Sequence, residues 1–227
     1  MSIDLVVPKE VELPTLLDEL RKLSWASADV LMAYARGEEP PYGFPKSLTV
    51  EEGGDGPVSA ADMAVNELLI SGLKDNLAFK EWDILSEETS KEKTFQQDNY
   101  KKDWCWILDP LDGTKDFLQG SENYAVHIAL AYKKKPKIGI VLIPEKNELW
   151  FGIVGIGAWF ENRDGSKNHF SFSDRLDISK LILVSSKNHQ QSKLNNLLST
   201  MCFGEIKKIG SVGCKVASIL RGEADVY

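Results

Sequence analysis

The chain has 227 residues, 43% hydrophobic and 27% charged, with 34 acidic against 27 basic side chains and a net charge of −7. That is enough for one large domain or two small ones packed together, and the negative balance argues against a nucleic-acid polymer as partner, since such binding rests on Lys and Arg neutralising phosphates. Cys105, Cys202 and Cys214 show no metal-ligand spacing and point to a reducing, cytoplasmic setting, while neither a signal peptide nor a membrane-spanning apolar run is visible.

Pro14 suits the first turn of a helix, and Leu16, Leu20, Leu23, Val30, Leu31 and Tyr34 keep helical spacing to about Arg36. The stretch GEEPPYGFPKSLTVEEGGDGP is dense in Gly, Pro and acids and reads as a mobile loop without an element. A second helix starts at Ser59, with Val65, Leu68, Leu69 and Leu73 on one face. WDILSEE, from Trp82 to Glu88, reads as a short strand ending in acids. A polar linker then leads to WCWILDPLDGTKDF, Trp104 to Phe117, whose apolar run stops at Asp109-Pro110. Strands are expected at YAVHIALAY, KIGIVLIP, ELWFGIV and GAWFEN. FGIVGIGAWF is a hairpin turn, because its glycines do not fit a dinucleotide fingerprint. ENRDGSKNHFSFSDRLD reads as a boundary. Beyond it lie a strand LILVSS, a helix from about Gln191, a strand EIKKIG, a helix from Ser211 and a last strand ADVY. The layout is α+β in two parts.

DPLDGT carries the first chemical signal. Asp-Pro and Asp-Gly are common turn dipeptides, and a turn accounts for either alone. It does not account for Asp109 and Asp112 one tight turn apart at a strand end, where like charges repel. A divalent cation would remove that cost. Mg²⁺ takes carboxylate and carbonyl oxygens, and Pro110 leaves the Leu111 carbonyl free to supply one. Gly113 and Thr114 can open a short helix whose N–H groups face a phosphate. Glu87, in SEE, ends a strand that could lie parallel to the Asp109 strand and bring a third acid to the same place. Ser59 with Asp62 is a capping-box pattern, and Asp62 is equally a carboxylate that could activate a water through the Thr114 hydroxyl. GSVGCK is either a Ser-capped helix start with Lys215 in solvent, or an anion site built from helix N–H groups, Ser211 and Lys215. His127, mid-strand, reads as a core or structural histidine.

WILDPLDGTKDF resembles the WxxDPxDGTxxF signature of the lithium-sensitive, Mg²⁺-dependent phosphatases related to inositol monophosphatase. SEE, VSAAD and GEADVY fit the same family in the same order, from about residue 15 to residue 227. VSSKNH and GSVGCK look like the nucleotide-contacting segments of its 3'(2'),5'-bisphosphate nucleotidase branch. The resemblance implies a layered α-β-α-β-α sandwich, with residues 1–162 as a metal-binding domain and 163–227 as a substrate-side domain. It implies that Glu87, Asp109, Asp112 and the Leu111 carbonyl hold Mg²⁺, and that Asp62 and Thr114 deprotonate the attacking water. Gly113 and Thr114 would hold the phosphate, and His189, Ser211 and Lys215 a nucleotide bisphosphate. The implied reaction is hydrolysis of 3'-phosphoadenosine 5'-phosphate to AMP and phosphate by a cytoplasmic enzyme, as a possible homodimer. The alternatives are an inositol phosphate or sugar bisphosphate as substrate, or a non-catalytic Mg²⁺- or phosphate-binding protein. The last arises because the sequence stops at Tyr227, before a WDxAA string in which the family carries a further metal-binding Asp. The expectation is therefore a chain truncated at its C-terminus.

Overall fold

The computed structural model describes residues 6–53, 56–75, 82–90, 101–187, 198 and 200–227. Helix α1 spans Leu13–Arg36, with Pro14 in its first turn, and ends where Gly37 turns left-handed at φ 66°. Its buried stripe of Leu16, Leu20, Val30, Leu31 and Tyr34 follows the helical period.

The loop expected next is corrected. After a 3₁₀ turn at Pro41–Gly43, strand β1 (Val50–Gly53) pairs antiparallel with β2 (Gly56–Ser59), Val50 opposite Ser59. The Gly- and Asp-rich composition that reads as loop is also hairpin-turn chemistry. The Tyr34 hydroxyl ties the segment to α1 by donating to the Pro45 carbonyl at 2.7 Å.

Helix α2, Ala60–Asp75, starts on Ser59 as expected. The Asp62 carboxylate accepts from the Ser59 N–H at 2.8 Å, and the Asp62 N–H faces Ser59 Oγ at 3.4 Å. That reciprocal pair satisfies donors the helix start would otherwise leave open.

A seven-stranded sheet follows in sequence order. Its strands are β3 (Asp83–Ser86), β4 (Trp104–Asp112), β5 (Ala125–Tyr132), β6 (Lys135–Ile143), β7 (Glu148–Ile153), β8 (Gly157–Asn162) and β9 (Lys167–Asn168). Only β3 and β4 run parallel; every other neighbouring pair is antiparallel. The acids of SEE do not end β3 but open a short helical turn, α3 (Glu87–Ser90), and Thr114–Leu118 form α4.

One face of the sheet buries Trp106, Leu108, Ile128, Leu130 and Ile140 against α1 and α2. On the other face Ala125, Ile143 and Trp150 pack against Cys214 and Ala217 of helix α5 (Val212–Leu220). Beyond α5 lies a parallel pair, β10 (Ile182–Ser186) with β11 (Glu205–Ile209). Among the described residues the layers run α–β–α–β, the first four of the five layers expected. The last strand is less than expected: ADVY contributes one bridge, Leu183 to Val226. The helix placed near Gln191 falls mainly outside the described residues. Among those described, no helix is long and apolar enough to cross a membrane, and all three cysteines are free.

Candidate metal and phosphate site

Residues three apart on a regular strand point to opposite faces, so Asp109 and Asp112 should diverge. They do not, because β4 carries a bulge. Asp109 pairs with His127 and Asp112 with Ala125, so the stretch from Asp109 to Asp112 holds one more residue than its partner. Pro110 has no N–H for the ladder and sits where the pairing breaks. The bulge resets the alternation and puts Asp109, Asp112 and His127 on one face. Glu87 arrives from the neighbouring parallel strand, where Ser86 stands opposite Leu108, one step before Asp109.

These acids are crowded. Burial, together with the charges of Glu87 and Asp112 and a hydrogen bond with Glu87, pushes Asp109 up to about 7, although His127 pulls the other way. Asp112 is treated differently. Burial opposes its charge, yet His127, Ser211 and the Gly213 N–H hold it below the usual carboxylate range. Its Oδ2 accepts from Ser211 Oγ at 2.6 Å and from the Gly213 N–H at 2.9 Å. His127 lies between the two acids, Nδ1 3.8 Å from Asp109 Oδ2 and Nε2 3.2 Å from Asp112 Oδ2. The histidine expected in the core is thus part of the acid cluster; its place in an alternating strand hides it.

Asp62 and Thr114, far apart in sequence, meet. Thr114 Oγ1 lies 3.1 Å from Asp62 Oδ1 and 3.1 Å from the Leu111 carbonyl, so its single proton can be donated to either. Asp62 is 2% exposed, and burial raises its pKa against the hydrogen bonds from Ser59 and Thr114. Gly113 precedes α4 at φ 94°, and a β-carbon there would stand 3.0 Å from the Asn123 carbonyl and 3.2 Å from Ser211 Cβ. Only glycine fits that turn.

Ser211 caps α5 by accepting from the Cys214 N–H at 3.1 Å while donating to Asp112. Lys215 is not the solvated lysine that a plain helix start suggests. It is 2% exposed, donates to the Gly210 carbonyl at 3.3 Å and sits 4.7 Å from the Tyr227 ring centre. The Tyr227 contact comes from the far end of the described chain, and no local pattern foretells it. His189 lies outside the described residues. A second clamp escapes sequence reasoning altogether. Buried Asp116 accepts from Lys187 Nζ at 2.6 Å and from the Gly210 N–H at 2.7 Å, tying α4 to the end of β10 and to the turn before α5.

Among the described residues no three His, Cys, Asp or Glu side chains already surround one point as a coordination cluster; Asp112 is engaged by protein donors instead. In kind the donors fit a hard divalent cation: the carboxylates of Glu87, Asp109 and Asp112 with the Leu111 carbonyl. Burial is the main reason Asp109 is raised, with the charges of Glu87 and Asp112 adding to it, and a cation held there would favour its ionised form.

The sequence profile of the inositol monophosphatase family matches residues 16–227. The chain is 31% identical over 175 residues to the 3'(2'),5'-bisphosphate nucleotidase CysQ of Buchnera aphidicola, covering 75% of this chain and 61% of that protein. It is 27% identical over 212 residues to the CysQ of Escherichia coli K12, covering 93% and 79%. Among solved structures, an inositol monophosphatase/NADP phosphatase complexed with NADP and Ca²⁺ superposes at TM-score 0.72 and 18% identity, over 95% of this chain and 75% of that one. The Thermotoga maritima inositol monophosphatase superposes at 0.71 and 20% identity, over 93% and 74%.

Proposed function

We propose a reaction from the premise that this chain belongs to the inositol monophosphatase family: metal-dependent hydrolysis of the 3'-phosphomonoester of 3'-phosphoadenosine 5'-phosphate, giving AMP and phosphate. The observation that carries it is the Asp62–Thr114 contact at 3.1 Å, formed beside the bulged strand end that bears Asp109 and Asp112.

Glu87, Asp109, Asp112 and the Leu111 carbonyl would hold Mg²⁺. When bound, such ions stabilise charge on phosphoryl oxygens and lower the pKa of bound water. The protein's own part is proton handling and positioning. Thr114, donating to Asp62, leaves an oxygen lone pair for the hydrogen of an incoming water. As the water oxygen bonds to phosphorus, its proton passes to Thr114 and the Thr114 proton to Asp62 Oδ1. The phosphorus bond to the ribose oxygen breaks, and that oxygen leaves with a proton from solvent. A carboxylate whose proton affinity is raised by burial suits the acceptor's task. The N–H groups of Gly113 and Thr114, at the start of α4 and without intrahelical partners, would hold the phosphate.

The nucleotide substrate is supported by the names of the relatives at 27% and 31% identity. We assign His189, Ser211 and Lys215 to the nucleotide side, residues 1–162 to the metal-binding part and 163–227 to the substrate side. The test is phosphate release from 3'-phosphoadenosine 5'-phosphate and from inositol 1-phosphate, side by side, with Mg²⁺, with EDTA and with added Li⁺. Mg²⁺-dependent, Li⁺-sensitive release from the nucleotide supports the proposal. Preference for inositol 1-phosphate overturns the substrate, and release from neither leaves a protein that binds without turnover.

A further inference from the structure

One buried carboxylate stands between the two sides of the site and has no part in the proposed reaction. Asp116 is 1% exposed and lies in α4, two residues after Thr114. Replacing a buried ion pair by apolar packing is often neutral or stabilising, so anchoring α4 does not by itself call for a charge here. What the carboxylate supplies is direction. Its Oδ2 accepts from the Gly210 N–H at 2.7 Å and its Oδ1 from Lys187 Nζ at 2.6 Å. Lys187 is held in turn: Nζ also donates to Gln119 Oε1 at 2.7 Å, and its backbone N–H donates to the Ile209 carbonyl at 3.2 Å.

Gly210 is gripped on both sides. Asp116 takes its N–H, and its carbonyl accepts from Lys215 Nζ at 3.3 Å. Glycine has the widest backbone freedom of any residue, so the Gly210 carbonyl keeps one direction only if something outside the turn holds it. Asp112 fixes the far end of the turn, at Ser211 and Gly213, and Asp116 fixes the near end. The buried ammonium of Lys215 therefore takes its aim from a carboxylate 99 positions earlier in the chain, on the helix that also carries Thr114.

We propose that Asp116 is a positioning residue for the nucleotide. Through Gly210 it sets the direction of the Lys215 ammonium, and so keeps the nucleotide side at one spacing from the phosphate that Thr114 serves. The inference rests on the assignment of Lys215 to the nucleotide.

The experiment uses the full chain with Mg²⁺. Asp116→Asn keeps the shape of the side chain and puts an NH₂ group where one accepting oxygen stood. The KM for 3'-phosphoadenosine 5'-phosphate should rise about tenfold, the low end of what a hydrogen bond to a charged group supplies, with kcat within about twofold. The Kd for AMP, read by calorimetry, should rise in step. In a Lys215→Met background the same substitution should change neither value further. A fall in kcat at unchanged KM would move the effect to Thr114, and additive losses would separate Asp116 from Lys215; either overturns the inference, as does an unchanged AMP affinity. If Lys215→Met alone leaves AMP binding intact, or the wild-type chain does not bind AMP, the nucleotide assignment itself fails and the inference falls with it. Should Asp116→Asn not fold, the wild-type chain carries the test: saturation with AMP should shift the Gly210 amide signal, and an unmoved signal overturns the inference.

Discussion

Glu161, in β8, and Asp109, at the end of β4, are carboxylates of the same sheet in opposite surroundings. Glu161 accepts from Arg21 Nε at 2.6 Å, from a second Arg21 nitrogen at 3.0 Å and from the Trp159 indole at 2.8 Å. Burial opposes its charge, but these partners hold its pKa below the ordinary value. Asp109 accepts from the Leu111 N–H at 3.2 Å, shares a hydrogen bond with Glu87 and meets the negative charges of Glu87 and Asp112. The first arrangement joins α1 to β8. The second gives up local stability and keeps a charge deficit that a cation can fill. Sheet position alone does not separate structure from function here; the charge of each carboxylate's partners does, a guanidinium and an indole for Glu161 and two further acids for Asp109.

The contrast can be broken most directly at its functional end. Asp109→Asn is expected to lower phosphate release by about 10²- to 10³-fold, the range for removing one preorganised electrostatic group, without lowering the melting temperature. A folded variant with wild-type turnover would remove Asp109 from the site. At the structural end, Arg21→Ala leaves Glu161 buried without its main partner. Urea melts should show a loss of about 2–3 kcal/mol, with kcat/KM unchanged; an unchanged midpoint would mean that Trp159 and Lys167 suffice. Gly113→Ala probes the junction. It forces a β-carbon into left-handed backbone against a carbonyl, for about 1–2 kcal/mol, and should lower kcat because Thr114 is the next residue. A neutral result in both assays would show that the turn can relax.

The smallest effect concerns pH. Burial raises Asp62 above its ordinary 3.8. An acid with a raised folded pKa favours the fold at low pH, and that contribution is lost as pH rises through the raised value. In EDTA, Asp62→Asn should therefore raise Tm by about 2 °C at pH 8 and by less at pH 4. A lower Tm at pH 8 would show that the hydrogen bonds from Ser59 and Thr114 outweigh the desolvation.

Local patterns are legible in the amino-acid sequence itself. The capping box at Ser59 and Asp62, the acids flanking Pro110 and the Ser211 cap each lie within a few residues of sequence, where composition reports backbone need directly. Tertiary facts are not legible in that way. Whether Asp109 and Asp112 share a face depends on the β4–β5 register, and Pro110 marks a bulge only once that register exists. His127 looks like a core residue because alternation identifies a face but not what lies across it. Lys215 needs Tyr227, and Asp116 needs Lys187, 71 residues away. The β1–β2 hairpin is hidden because turn-forming and loop-forming compositions overlap.

Asp112 and Asp116 both grip the turn from Gly210 to Gly213. The seating of α5 and the aim of the Asp112 carboxylate are therefore one equilibrium seen from two sides. By reciprocity, an ion that draws Asp112 toward itself alters how firmly α5 is held, and a contact that lifts α5 alters how the ion is held. Amide exchange at Gly210 and Gly213, which reports the seating of the turn and not turnover, would register both.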